Sequence, residues 1–231
     1  MSLFQTTPLP CPSCGKNVDF EAVHSVNADR RPDLREAIQD GTFQRQACGS
    51  CGTLFRLDPQ FMYLDLERGS WIAAYPLDDL EHWREREAEV KDVFDHAFGS
   101  RAPAPARAIG SRLRPRLVFG WPALREKLAA SQHGLDDVQL ELLKIGLLRS
   151  GSAGPLGETT ELRFLEVPVD GKQELALAWL DSRTADFVQG LRVPRQLYDD
   201  VAGEREAWQG LRSQLGEGPF VDLKRLLTVG V

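Results

Sequence analysis

Apolar positions change their spacing repeatedly along this chain, and each change marks an expected element. Val18, Phe20 and Ala22 alternate with Asp19 and Glu21, which predicts a half-buried strand over 17–26. A short helix follows, with Pro32 suited to its first turn, Leu34, Ala37 and Ile38 on one face, and Asp40-Gly41 as its stop. Residues 42–47 then read as a strand, and 53–57, 61–66 and 70–75 as three short strands rich in aromatics. The last two join as a hairpin across Glu67-Arg68-Gly69. From Leu80 the spacing becomes helical: Leu80, Trp83, Val90, Phe94 and Ala97 form a stripe over 80–98, interrupted by Glu87, with a charged outer face.

The second half repeats the mixture. A strand is expected at 116–119, helices near 122–131 and 136–149, and a Gly-rich break at 150–157. Strands at 162–169 and 174–180 flank the hairpin signal Asp170-Gly171, two helices lie near 194–214, and an apolar tail covers 220–231. Strands and helices cluster unevenly, so the expected class is α+β rather than a regular βαβ alternation. Between the halves, residues 99–112 are rich in Pro, Ala and Gly with one large apolar residue, Ile109, and read as a semi-stiff extended linker. The expected organisation is thus a β domain over 1–98 with an inserted helix and a following long helix, the linker at 99–112, and a smaller α+β domain over 113–231.

Charge sharpens that division. The chain of 231 residues carries a formal net charge of −6. Arg101, Arg107, Arg112, Arg114 and Arg116 nevertheless fall in one stretch with no acid. Acidic bodies on both sides repel a phosphate backbone, so nucleic-acid binding is disfavoured unless this strip makes the contact. No run approaches the roughly 18 apolar residues of a membrane helix, and the start of the chain lacks the pattern of a signal peptide, so a cytoplasmic protein is expected.

All four cysteines fall in two CxxC pairs, Cys11-Pro-Ser-Cys14 and Cys48-Gly-Ser-Cys51, each followed by glycine, Gly15 and Gly52. Four thiolates from two tight turns can surround one Zn²⁺ tetrahedrally, which is the zinc-ribbon arrangement. Such a shell is coordinatively full and leaves no position for a catalytic water, so the zinc is expected to be structural. Two other readings stay open. Cys11-Pro-Ser-Cys14 resembles a glutaredoxin-like dithiol, and four thiolates also hold iron.

The motifs Cys11-Pro-Ser-Cys14-Gly15, Ser25-Val-Asn-Ala-Asp29, Pro32-Asp-Leu-Arg35, Cys48-Gly-Ser-Cys51-Gly52 and Phe61-Met-Tyr-Leu-Asp65 together resemble the CpXC family over residues 8–98. Gly49 stands where that family usually has proline. The stretch from Leu117-Val-Phe-Gly120 to Gly134-Leu-Asp-Asp137 is similar to what often follows that domain. The resemblance implies the four metal ligands and no particular activity.

Other candidates for chemistry are weaker. Asp136, Asp137, Glu141 and Lys144 could serve a hydrolase, but they also read as a helix N-cap, a favourable first-turn charge and an i,i+3 pair. His24, His82, His96 and His133 read as surface or satisfied histidines. Phe55, Phe61, Tyr63, Trp71 and Tyr75 could stack on single-stranded nucleic acid, although core packing suits them better. Phosphate-loop, dinucleotide and nucleophile-elbow motifs do not occur. The leading expectation is a zinc-stabilised interaction or adaptor protein with a protein partner and no catalysis of its own. A nucleic-acid-binding zinc ribbon using the arginines, and a hydrolase in the second domain, are the alternatives.

Overall fold

The computed structural model describes residues 2–151, 159–169 and 173–227. Alternating strands build a five-stranded sheet: β1 (Leu3–Pro10), β2 (Asn17–Asn27), β5 (Phe61–Asp65), β6 (Ser70–Tyr75) and β7 (Arg114–Phe119), in that spatial order. β1–β2 and β5–β6 pair antiparallel, while β2–β5 and β6–β7 pair parallel. β1 had no sequence signal. Its Pro8 and Pro10 cannot donate to a ladder, and an outermost strand tolerates them. Beside this sheet, β3 (Arg45–Ala47) and β4 (Leu54–Arg56) form a separate small hairpin.

The side-chain period of a strand sorts the central residues onto two faces. Ile72 and Ala74 of β6 and Val118 of β7 face a core shared with α1 (Pro32–Gln39) and α4 (Gly120–Gln132). Trp71 and Ala73, with Leu117 and Phe119, face the opposite way onto α2 (Trp83–Ala97), which is entered through a 3₁₀ turn at Leu77–His82. The expected helix at 80–98 is therefore present, with its start moved to Trp83 by the 3₁₀ turn.

The expected linker is built differently from its sequence reading. Within 99–112, Ala104–Gly110 forms the helix α3, not an extended spacer. Pro105 falls in its first turn, where a missing N–H costs little, and three alanines carry the rest. Gly110 lies against α2's end so closely that a Cβ would stand 2.2 Å from the Phe98 carbonyl oxygen. The segment thus returns the chain to the sheet, and β7 enters beside β6 with Ser70 opposite Arg114 and Tyr75 opposite Phe119. The span 99–112 falls between two strands that pair with one another.

A second, three-stranded antiparallel sheet has the order β10 (Phe187–Pro194), β9 (Glu174–Asp181), β8 (Thr160–Glu166). β10 was not foreseen; it exposes Phe187 and Val188 and shows no clean alternation. The expected turn at Asp170-Gly171 and most of the break at 150–157 lie outside the described residues. One face of this sheet packs with α5 (Asp137–Arg149), the end of α4 and Tyr198 of α6 (Arg195–Gly203). α7 (Arg205–Gly216) and α8 (Lys224–Leu227) pack on the outer side of α5. The class is α+β, as expected. α4 contributes Leu124 and Leu128 to the core of the first sheet and Ala129 and Ala130 to that of the second.

Candidate metal centre

Each CxxC pair occupies the turn of a hairpin. The first joins β1 to β2 and the second joins β3 to β4, and the two turns close alike. The Cys11 N–H donates to the Lys16 carbonyl and the Cys48 N–H to the Thr53 carbonyl, both at 2.9 Å. Gly15 and Gly52 donate back to Cys11 and Cys48. Those glycines have φ of 70° and 75° with nothing within 4 Å of an added Cβ. Backbone conformation, not space, requires glycine there. Gln44 and Gln46 bind the second hairpin to β2 by donating to the carbonyls of Glu21 and Asp19.

The turns bring all four Sγ atoms within 4.8 Å of one another, with Cys11–Cys51 and Cys14–Cys48 both at 3.7 Å. A disulfide would need about 2.05 Å. A tetrahedron with metal–sulfur bonds of about 2.3 Å has edges of about 3.8 Å, so the sulfur set fits a four-thiolate metal site. Cys11 and Cys48 are buried against Val18 and Phe55, while Cys14 and Cys51 face outward. The glutaredoxin-like reading of Cys11 and Cys14 finds no support, because each of them lies 3.7 Å from a sulfur of the other pair.

Local donors already prepare the sulfurs for negative charge. The Thr53 hydroxyl, 3.3 Å away, and the Thr53 N–H lower the Cys51 thiol to about 6. The N–H groups of Ser50 and Cys51 lower Cys48. Cys14 goes the other way: the Lys16 N–H pulls it down, but its three sulfur neighbours and desolvation push it up to about 12. Four adjacent thiols without a cation cannot all ionise, and a divalent ion removes that conflict.

The remaining candidates separate cleanly. Asp136 is the N-cap of α5, accepting from the Gln139 N–H at 2.9 Å. Asp137 takes both arms of Arg116 at 2.6 and 2.8 Å and the Lys127 ammonium at 3.0 Å. Burial acts to raise Asp137, but Lys127 and Arg116 outweigh it and hold the carboxyl well below its usual range. Glu141 and Lys144 are more than an ordinary helical pair. They are fully buried and joined to Glu126, which also binds Arg163, and Arg163 binds Glu161 and Asp222. Burial pushes Glu141 up to about 7, against the pull of Lys144. Sequence reasoning missed Glu126, Arg163 and Asp222. The available signal was Glu126-Lys127 placed between Leu124 and Leu128 on a helix rich in apolar residues.

The arginine strip is largely occupied. Arg101 binds Asp92 and Asp95, Arg107 donates to the Ala102 carbonyl, and Arg116 holds Asp137. The aromatics form no stacking platform. Phe61 and Tyr63 lie in one core and Trp71 in another, Tyr75 packs on Phe119, and Phe55 sits against Phe20. His24, His82 and His96 are exposed, and His133 packs edge-on to Phe164. No described helix is long and apolar enough to cross a membrane.

A family model described as CpXC protein matches residues 9–144, a span that includes both cysteine pairs, β7, α4 and part of α5. No curated protein and no solved structure matches the chain.

Proposed function

From the premise that the chain belongs to the CpXC protein family, we propose that it is a zinc-stabilised adaptor that works by binding a protein partner. The observation that carries this reading is the cluster of Cys11, Cys14, Cys48 and Cys51, whose four sulfurs would fill all four positions about one metal ion. Such an ion cross-links two hairpins and offers no open site for a substrate. Zinc is preferred over iron because it is the common occupant of four-thiolate ribbons, and clustered thiols without a disulfide suit the reducing cytoplasm. Beside the shell, Leu54 on β4 presents an apolar side chain that is 58% exposed, a natural contact for a partner.

The test has two parts. Native mass spectrometry of purified protein should find one zinc per chain. A partner that co-purifies with the chain should be lost in Leu54→Glu at unchanged zinc content. Turnover of a substrate that disappears in Glu141→Gln would replace the adaptor reading with an enzymatic one.

A further inference from the structure

The tip of the β5–β6 hairpin lies against the entry to β7. Gly69 has φ of 62°, its carbonyl accepts from the Arg114 N–H at 2.8 Å, and a Cβ on it would stand 2.7 Å from the Arg112 carbonyl oxygen. That close approach sets Arg68 beside Arg112 and Arg114. Together they line a cleft of about 360 Å³ with Leu66, Glu67, Ser131 and Leu135, the Glu67 carboxylate being exposed and 3.9 Å from Arg35. A smaller adjoining void of about 50 Å³ shares Arg68, Arg114, Ser131 and Leu135 and ends on Ser70, Arg116, Lys127 and Asp137.

The charge there is unbalanced. Arg116 and Lys127 both serve Asp137, whereas Arg68, Arg112 and Arg114 have no carboxylate partner among the described residues. Arg68 Nη1 is shielded from solvent and has no hydrogen-bond partner. A buried guanidinium nitrogen without an acceptor is costly, and an oxyanion in the cleft would satisfy it. Ser70 and Ser131 add hydroxyls at the inner end, with their oxygens 3.2 Å apart. Guanidinium forks with hydroxyl donors are the donor set that binds phosphate oxygens.

We propose that the cleft between Arg68, Arg112 and Arg114 binds the phosphate group of a small ligand. A small ligand is favoured over a polyanion because Arg68, Arg112 and Arg114 converge on one short cleft of a chain whose net charge is −6. The site is independent of the cysteine centre and of the adaptor reading.

Inorganic phosphate and pyrophosphate, titrated into the full chain at about 50 mM salt, test this by calorimetry and by arginine side-chain NMR. One saturable site is expected, weakened at least about tenfold by Arg68→Gln and by Arg114→Gln. Arg101→Gln, which removes an arginine already held by Asp92 and Asp95, should leave it unchanged. If Arg68→Gln fails to fold, the exposed Arg112→Gln gives the same reading. No saturation by about 10 mM of either anion, or unchanged binding in Arg68→Gln/Arg114→Gln, overturns the site. Affinity for single-stranded oligonucleotides that rises with their length, and exceeds that for pyrophosphate, overturns the small-ligand assignment.

Discussion

Arg225 Nη1 lies 2.7 Å from Glu87 Oε1, across 138 positions of sequence. The same oxygen accepts the Phe220 N–H at 3.1 Å, and both side chains of the ion pair are 8% exposed. This explains the acidic residue in the apolar stripe of α2: it clasps α8 and the segment before it to α2. Gly218 gives the carboxylate room, since a Cβ there would stand 2.1 Å from Glu87 Oε1. Glu87→Ala would remove the acceptor shared by the Arg225 guanidinium and the Phe220 N–H, leaving Arg225 with longer contacts such as Glu217 at 3.5 Å, and should cost about 3 kcal/mol. Urea unfolding measures this, and a loss below about 1 kcal/mol would mean the pair behaves as a surface ion pair.

Removing the metal should loosen the structure locally. The cysteine turns touch a small cluster of Val18 and Phe55, apart from the larger cores. Chelation, or Cys48→Ser, should therefore raise amide exchange in residues 8–20 and 44–57 while α4 and α5 keep their protection. Metal binding stabilises folding where its ligands lie. Loss of protection in α5 equal to that at the turns would contradict this.

Acid should act through Asp137. Its folded-state pKa is depressed, so its stabilising contribution is complete above the ordinary aspartate value near 3.8 and declines as the pH falls below it. Asp222 is depressed in the same direction, with Arg163 and Lys144 outweighing its burial. Thermal unfolding from pH 6 to pH 2 should show a falling midpoint. Asp137→Asn should start from lower stability and fall less steeply, and parallel curves for the two proteins would exclude the assignment.

Leu124→Ala should test whether α4 couples the two sheets. Leu124 is fully buried in the first core, and its truncation should cost about 2–5 kcal/mol. Because the same helix supplies Ala129 and Ala130 to the second core, unfolding should remain one transition at a lower denaturant midpoint. Two separated transitions would show that the sheets unfold independently.

Local chemistry was legible wherever one segment carried its own signal. Asn17–Asn27, Pro32–Gln39 and the cysteine turns each declare themselves through alternation, capping or spacing. What was hidden depends on distant partners. Nothing near Arg163 announces that Glu126 and Asp222 will neutralise it, and nothing in 99–112 announces that Phe98 will receive Gly110. The arginine strip was visible as composition, but only the fold shows which arginines are already paired.

The parallel pairing of β6 with β7 also orders events in time. During synthesis β6 is complete at Tyr75, yet its partner does not exist until Phe119 has been made, and Phe220 caps the same apolar face about a hundred residues later still. For that interval the nascent chain holds an open, aromatic-bearing strand edge, the feature that recruits chaperones or a neighbouring chain. The length of that interval is set by the residues between Tyr75 and Phe119, those of α2 and α3 among them.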